Sequence, residues 1–201
     1  MTDATETLPP IVRNGRYILL DIETTGLSIN KDQAIQVAFG RVKDGRTMLR
    51  GYYTLKPTCP IKPRTIEVHG MTEEMLAYSP TFADIADELK VILDDRAIML
   101  GWGAAKFDVP ILRRQFAEAA GVEESDWQPR TLDLLPWDRV LRPDVKHNLQ
   151  RAAEAWGVPP GVPHDAWHDC RLTWGVFCHM AYKYPEQFGN LDVEDVFKGA
   201  S

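Results

Sequence analysis

Apolar positions in this chain follow first a strand-like and then a helical spacing. Tyr17-Ile18-Leu19-Leu20-Asp21-Ile22 is a short apolar run of the kind a buried strand uses. Gln33 to Val42 and Thr47 to Lys56 are two further strand candidates. They are joined by Lys43-Asp44-Gly45-Arg46, in which Asp-Gly is a strong hairpin-turn signal. The chain therefore opens as an antiparallel meander, preceded by a loose tail over residues 1–13. A Pro-rich loop with Pro57, Pro60 and Pro63 follows and leads to Ile66-Glu67-Val68-His69-Gly70-Met71-Thr72. The period then becomes helical. Ser79 is a suitable N-cap, Pro80 suits the first helical position, and Phe82, Ile85, Leu89, Ile92 and Leu93 form one apolar face. Arg96 to Trp102 reads as a fourth strand, Val109 to Ala120 as a helix stopped by Gly121, and Thr131 to Leu135 as a short fifth strand. His147 to Trp156 reads as a helix closed by Gly157, Val158 to Pro163 as a rigid loop, and Asp165 to Tyr184 as the last long helix. The remaining residues, 186–201, form a polar tail with a final turn at Val193 to Phe197. Strands first paired in a meander and then alternating with helices predict one α/β domain over residues 14–185, with a mixed sheet flanked by helices.

Composition narrows the possibilities. The chain has 201 residues, enough for one full-sized core, and its 44% hydrophobic and 26% charged residues exclude wholesale disorder. No apolar run approaches the ~20 residues of a membrane-spanning helix, and the polar, acidic N-terminus does not read as a secretory signal. Cys59, Cys170 and Cys178 form no CxxC pair and are expected to be reduced core residues, which places the chain in a cytoplasmic compartment. The net charge of −6 excludes a protein that coats nucleic acid with a broadly basic surface. It leaves open an enzyme that grips a nucleic-acid end through bound cations, because a divalent ion inverts the local charge logic. Neither a G-x-G-x-x-G nor a Walker loop is present.

Three short constellations carry chemistry. In Asp21-Ile22-Glu23-Thr24-Thr25-Gly26, strand alternation points Asp21 and Glu23 to one face. Two adjacent carboxylates repel unless a cation neutralises them, so the pair reads either as half of a hard-metal site or as a solvated strand end. Asp108 in Lys106-Phe107-Asp108-Val109-Pro110 sits just before a helix, and reads as an N-cap or as a ligand delivered from a strand–helix junction. In His164-Asp165-Ala166-Trp167-His168-Asp169, Asp169 falls within an apolar helical pattern and needs a partner. For His164 and Asp169 to face one site, His164 must lie on the loop before the helix; His168 is its competitor. A zinc site on His164 and His168 lacks the Glu of H-E-x-x-H and a third ligand.

The ordered set Asp21, Glu23, Asp108, His164 and Asp169 resembles the DEDDh 3′→5′ exonucleases, the DnaQ-like group with polymerase proofreading subunits and ribonuclease T. Asp21-Ile22-Glu23-Thr24-Thr25-Gly26 resembles the first motif of that family, Phe107-Asp108 the core of the second, and His164-x-x-x-x-Asp169 the third. Ile66-x-x-His69-Gly70-Met71-Thr72 resembles the I-x-x-H-G-I-T segment between them. The second motif departs from the common H-N-A-x-F-D, reading Gly103-Ala104-Ala105-Lys106-Phe107-Asp108. The resemblance covers residues 16–184. It implies a ribonuclease H-like fold and a phosphodiester hydrolase. Two divalent ions, Mg²⁺ or Mn²⁺, would be held by Asp21, Glu23, Asp108 and Asp169, with His164 as base. It further implies that Thr24, Leu27, His69 and Phe107 meet the 3′-terminal nucleotide, although Phe107 and His69 also suit core packing and a turn. Lys106, Arg113 and Arg114 suit phosphate binding or a solvated helix face.

The expected partner is the 3′ end of nucleic acid, DNA before RNA, with any polymerase or repair partner on a separate chain. Three other readings share these residues: an exoribonuclease that trims RNA ends, an inactive nucleic-acid-binding module, and a ribonuclease H-type endonuclease. The filled acidic positions disfavour the inactive module.

Overall fold

The computed structural model describes residues 8–93, 96–159 and 165–188. A five-stranded sheet runs in the order β3-β2-β1-β4-β5. Its strands are β1 (Arg16–Thr24), β2 (Ala34–Lys43), β3 (Arg46–Thr54), β4 (Ile98–Gly101) and β5 (Thr131–Asp133). β1 pairs antiparallel with β2, and β2 with β3; β4 lies parallel to both β1 and β5. This is the mixed sheet expected from the meander and the later alternation. Asp44 and Gly45 both take positive φ, 53° and 71°, as the tight hairpin turn between β2 and β3 requires.

Helices cover both faces of the sheet. The long helix α8 (Ala166–Lys183), with α7 (Leu149–Ala155), covers the face bearing Tyr17, Leu19 and Ala38. Helices α4 (Phe82–Leu93) and α5 (Asp108–Ala120) cover the opposite face, where Ile18, Leu20 and Ile22 point. The apolar run at 17–20 is buried on both sides for this reason, and only from Asp21 onward does β1 alternate in exposure. α4 is capped by Thr81, not Ser79. The Thr81 amide and hydroxyl donate to Asp84 Oδ2, each at 2.7 Å, and the Asp84 amide donates back to Thr81 Oγ1.

The structure corrects several local expectations. α1 (Pro10–Asn14) forms within the stretch read as a loose tail. It buries Ile11 and Val12 and is tied down by the Tyr17 hydroxyl, which donates to the Ile11 carbonyl at 2.7 Å. α2 (Pro63–His69) and α3 (Glu73–Leu76) follow the Pro-rich loop, in a stretch to which the sequence assigned no element. Their sparse apolar positions cover only a small satellite core around Ile35, Ile61, Met71 and Leu76. The fifth strand, expected to reach Leu135, ends at Asp133, and Leu134–Leu141 is helix α6. The Asp133 carboxylate caps this helix by accepting from the Leu135 amide, which ends the strand at Asp133. α9 (Pro185–Phe188) buries Phe188 in the main core, although residues 186–201 read as a polar tail. The predicted turn at Val193 to Phe197 lies outside the described residues. Cys170 is core as expected, whereas Cys59 sits in a loop near the Thr25 hydroxyl and Cys178 is partly buried. No described helix is long and apolar enough to cross a membrane.

α6 and α7 are held by a buried ionic node. Asp138, fully buried, accepts from Arg142 Nε and Nη2 at 2.8 Å each, His147 Nδ1 at 2.7 Å and Trp156 Nε1 at 2.9 Å. Burial alone would raise its pKa. The three donor side chains outweigh that and hold the carboxyl below its usual range.

Candidate active site

Pairing between β1 and β4 stops at Leu19 and Leu100, so the last residues of β1 project past β4. Asp21 and Glu23 lie on this projecting end, on the face covered by α8. Asp169, in the first turn of α8, comes down on the same spot, and ligand oxygens of Asp21, Glu23 and Asp169 lie within 4.8 Å of one another. Strand alternation and helix packing together create the cluster.

Asp108 approaches from the open edge that β4 leaves. It is not the N-cap of α5 but its first residue, with Phe107 in the cap position. Its Oδ1 accepts from the Ile22 amide at 3.2 Å, so the buried carboxylate is fastened between the two strand acids. The loop before it, which carries Gly103-Ala104-Ala105, is held by Asp133. The carboxylate of Asp133 accepts from the amides of Gly103 at 2.7 Å and Ala105 at 3.2 Å. Backbone amides meeting one carboxylate thus position the loop that departs from the family pattern.

The electrostatics are those of acids that could hold a cation. Burial, reinforced by Asp108, Asp169 and Glu23, pushes the Asp21 carboxyl well above its ordinary value. Burial and the neighbouring Asp169 and Asp108 raise Glu23 to about 8. Asp108 is raised to about 7 by burial, partly offset by backbone hydrogen bonds including that from Ile22. Carboxylates crowded this closely cannot all ionise at neutral pH without a compensating charge. An all-oxygen donor set of this kind fits a hard divalent cation such as Mg²⁺ or Mn²⁺.

Gln150 of α7 is a site residue that sequence reasoning missed. Its Nε2 donates to Asp169 Oδ1 at 2.9 Å and orients that carboxylate. Only a helix contact 19 residues distant in sequence reveals it. His168 faces its own N-cap: its amide and ring both meet Asp165 Oδ1, at 2.9 and 3.3 Å. His164 lies outside the described residues.

Beside the acids is a cleft of about 390 Å³, lined mainly by apolar surface from Ile22, Leu27, Val68 and Phe107, with Thr24 and His69 also in its wall. The four residues expected to meet a terminal nucleotide therefore come together. Leu27 is 76% exposed at the rim, while Phe107 is half-buried against the core. Thr24 is buried, and its hydroxyl donates to the Gly26 carbonyl at 2.6 Å. His69 is fixed by its own backbone neighbourhood. Its Nδ1 accepts from the Met71 amide at 3.0 Å, which leaves Nε2 as the protonated nitrogen facing the Thr24 carbonyl at 3.3 Å. The turn-stabilising and cleft-lining roles of His69 coexist.

The cleft wall is braced by Asp32, a buried carboxylate that accepts from Thr25 Oγ1 (3.2 Å), the Ser28 amide (2.7 Å) and Lys62 Nζ (2.5 Å). Arg114 clamps the same loop through the Ile29 and Asp32 carbonyls, which gives this arginine a structural role.

The mixed sheet thus gathers carboxylates at a strand end, where they could hold a metal ion, with a cleft of about 390 Å³ beside them. A family model described as an exonuclease, RNase T, matches residues 18–177, and the chain belongs to this DnaQ-like exonuclease family. Among relatives, the PolC-type DNA polymerase III of Thermotoga petrophila is 29% identical over 164 residues, which is 82% of this chain and 12% of that protein. The PolC-type enzyme of Bacillus subtilis is 27% identical over 158 residues, 78% of this chain and 11% of that one. The chain thus spans only about an eighth of these relatives. Escherichia coli exonuclease I in complex with a dT13 oligonucleotide superposes with a TM-score of 0.75 at 20% identity, over 87% of this chain and 43% of that one. Its fold agrees with the ribonuclease H-like architecture expected from the sequence.

Proposed function

We propose that this chain is a metal-dependent 3′→5′ exonuclease that releases nucleoside monophosphates from single-stranded DNA. The observation that carries the reading is the meeting of Asp21, Glu23 and Asp169 beside an apolar cleft of nucleotide size. Asp21, Glu23, Asp108 and Asp169 would hold two divalent ions. When bound, such ions acidify the attacking water and offset the charge that grows on the phosphate. The cleft accepts the terminal nucleoside, with Phe107 and Leu27 against the base, because every base offers a stacking face. The braced loop from Thr24 to Asp32 keeps that nucleoside in register with the acids. His164 takes the proton of the water as its oxygen attacks phosphorus. The bond from phosphorus to the 3′ oxygen breaks, and that oxygen leaves on the shortened strand. The PolC-type relatives, named as DNA polymerases, support DNA as the substrate.

A gel time course with 5′-labelled single-stranded DNA and RNA in Mg²⁺, Mn²⁺ or EDTA tests the reading. The expected result is a ladder shortening from the 3′ end of DNA, absent in EDTA and in Asp21→Asn. His164→Ala should lose most of the rate with ion binding retained. A crippled His168→Ala beside an active His164→Ala would assign the base to His168. Faster shortening of RNA would make the chain an exoribonuclease, and cleavage of a circular strand would make it an endonuclease.

A further inference from the structure

A second groove lies on the α8 side of the sheet, where β3 emerges from beneath the helix. It measures about 610 Å³, and Arg50, Trp167, Arg171 and Trp174 line it together with apolar and small residues, none of them acidic. In a chain of net charge −6, a groove with two arginines and no carboxylate is a local inversion of charge. Both arginines are exposed, and neither makes a hydrogen bond or ion pair among the described residues.

Arg50 is nevertheless stationed. Its guanidinium carbon lies 5.5 Å from the centroid of the Trp167 ring. That ring fits against the sheet because Gly40 lacks a side chain; a Cβ there would come within 2.8 Å of Trp167 Cζ3. A guanidinium held over a ring with no carboxylate partner keeps N–H groups available for a forked contact with phosphate. Arg171 is one helical turn beyond Trp167 on the same side of α8.

The groove and the acidic cluster lie on one face of the sheet. Asp21 pairs with Ala38, and Ala38 with Tyr52, so Tyr52 stands on the same face two strands across, ~10 Å away at ordinary strand spacing. Leu19, Gly40 and Arg50 form the parallel row two residues back, which places Arg50 next to Tyr52. Tyr52 is 60% exposed, while Ala38 between the two is buried beneath α8.

We infer that this strip, Tyr52 with Arg50 and Arg171, is a binding track for the backbone of a single-stranded DNA on the 5′ side of the bond being cut. This rests on the exonuclease reading for the direction of the strand. The two guanidinium groups take successive phosphates and Tyr52 takes a base. The chemistry is that of sequence-tolerant single-strand binding, in which charge follows the backbone and aromatic faces follow the bases.

Two measurements test it on the whole chain. Fluorescence anisotropy of a 5′-labelled dT20 in Ca²⁺, across a salt series, reports phosphate contacts without needing turnover. The Arg50→Ala/Arg171→Ala variant should bind about tenfold more weakly, with a salt dependence shallower by about 1.4 in log–log slope, two contacts at ~0.7 each. Tyr52→Ala should weaken binding about tenfold with the slope unchanged. In the kinetic arm with Mn²⁺, the double variant should lose about tenfold in kcat/KM on dT20 and stay within twofold on the p-nitrophenyl ester of thymidine 5′-monophosphate, which is too short to reach the track. An unchanged salt slope, or an equal loss on both substrates, overturns the track. A wild-type chain that binds dT20 with this arginine dependence but cleaves neither substrate overturns the exonuclease reading and leaves the track standing.

Discussion

Replacing Glu23 with glutamine should make the ion-free protein more stable at neutral pH while abolishing its activity. Burial and the charges of Asp169 and Asp108 raise the Glu23 carboxyl to about 8, from the 4.5 of a free glutamate. Because the folded value lies above the unfolded one, the folded state holds the proton longer. The stability this gives is complete below ~4.5 and is lost as pH rises through about 8. A tenfold change in proton affinity between the folded and unfolded states is worth ~1.36 kcal/mol, so the full displacement would amount to several kcal/mol; screening at this partly exposed position reduces the usable part to about 2 kcal/mol. For a domain of this size that is ~4–8 °C in Tm. The assay is thermal unfolding in EDTA between pH 5 and 8, repeated with Mn²⁺. Wild type should lose stability toward pH 8 and regain it with Mn²⁺; Glu23→Gln should be flatter with pH, higher melting at pH 8 in EDTA, and less responsive to Mn²⁺. A variant that melts at or below wild type in EDTA at pH 8 refutes the view that the acids repel one another in the ion-free fold.

Asp138→Ala should cost ~3–5 kcal/mol in urea unfolding, because it strands the buried donors of Arg142, His147 and Trp156; a loss under ~1 kcal/mol contradicts the node. The contribution of the Asp138 carboxylate is complete above ~4 and fades as pH falls through its depressed folded value, so the gap between wild type and Asp138→Ala should narrow in acid. Gln150→Leu should weaken Mn²⁺ binding by ~10-fold in calorimetry, with wild-type affinity as the contrary result, since it removes the hydrogen bond that orients Asp169. Gly26→Ala should destabilise by ~1–3 kcal/mol and raise KM, because its Cβ would lie 2.5 Å from Asp32 Oδ2 and 2.6 Å from Lys62 Cδ in the brace of the cleft. An unchanged KM and Tm would show that the brace yields freely.

Features legible from the residues alone were local ones. Asp44-Gly45 set the hairpin because few other pairs tolerate two positive φ angles in succession. The Asp-x-Glu spacing put both acids on one face because side chains alternate along a strand. Gly121 stopped α5 in the left-handed conformation, and the apolar spacing of α4 and α8 set which faces they bury. The order of the motifs was enough to indicate the family. Packing between elements settled the rest. Whether Asp108 capped a helix or reached a site depended on β4 ending early, which freed the Ile22 amide 86 residues away in sequence. Asp133, Gln150 and Asp138 carry no motif, and each gained its role from a partner on another element. The helices α2, α3 and α6 were illegible because short segments with few apolar positions take their conformation from capping and from the surface they cover. A carboxylate in a sequence is only a potential charge. Its neighbours in space decide whether it is paired, protonated or left to attract a cation.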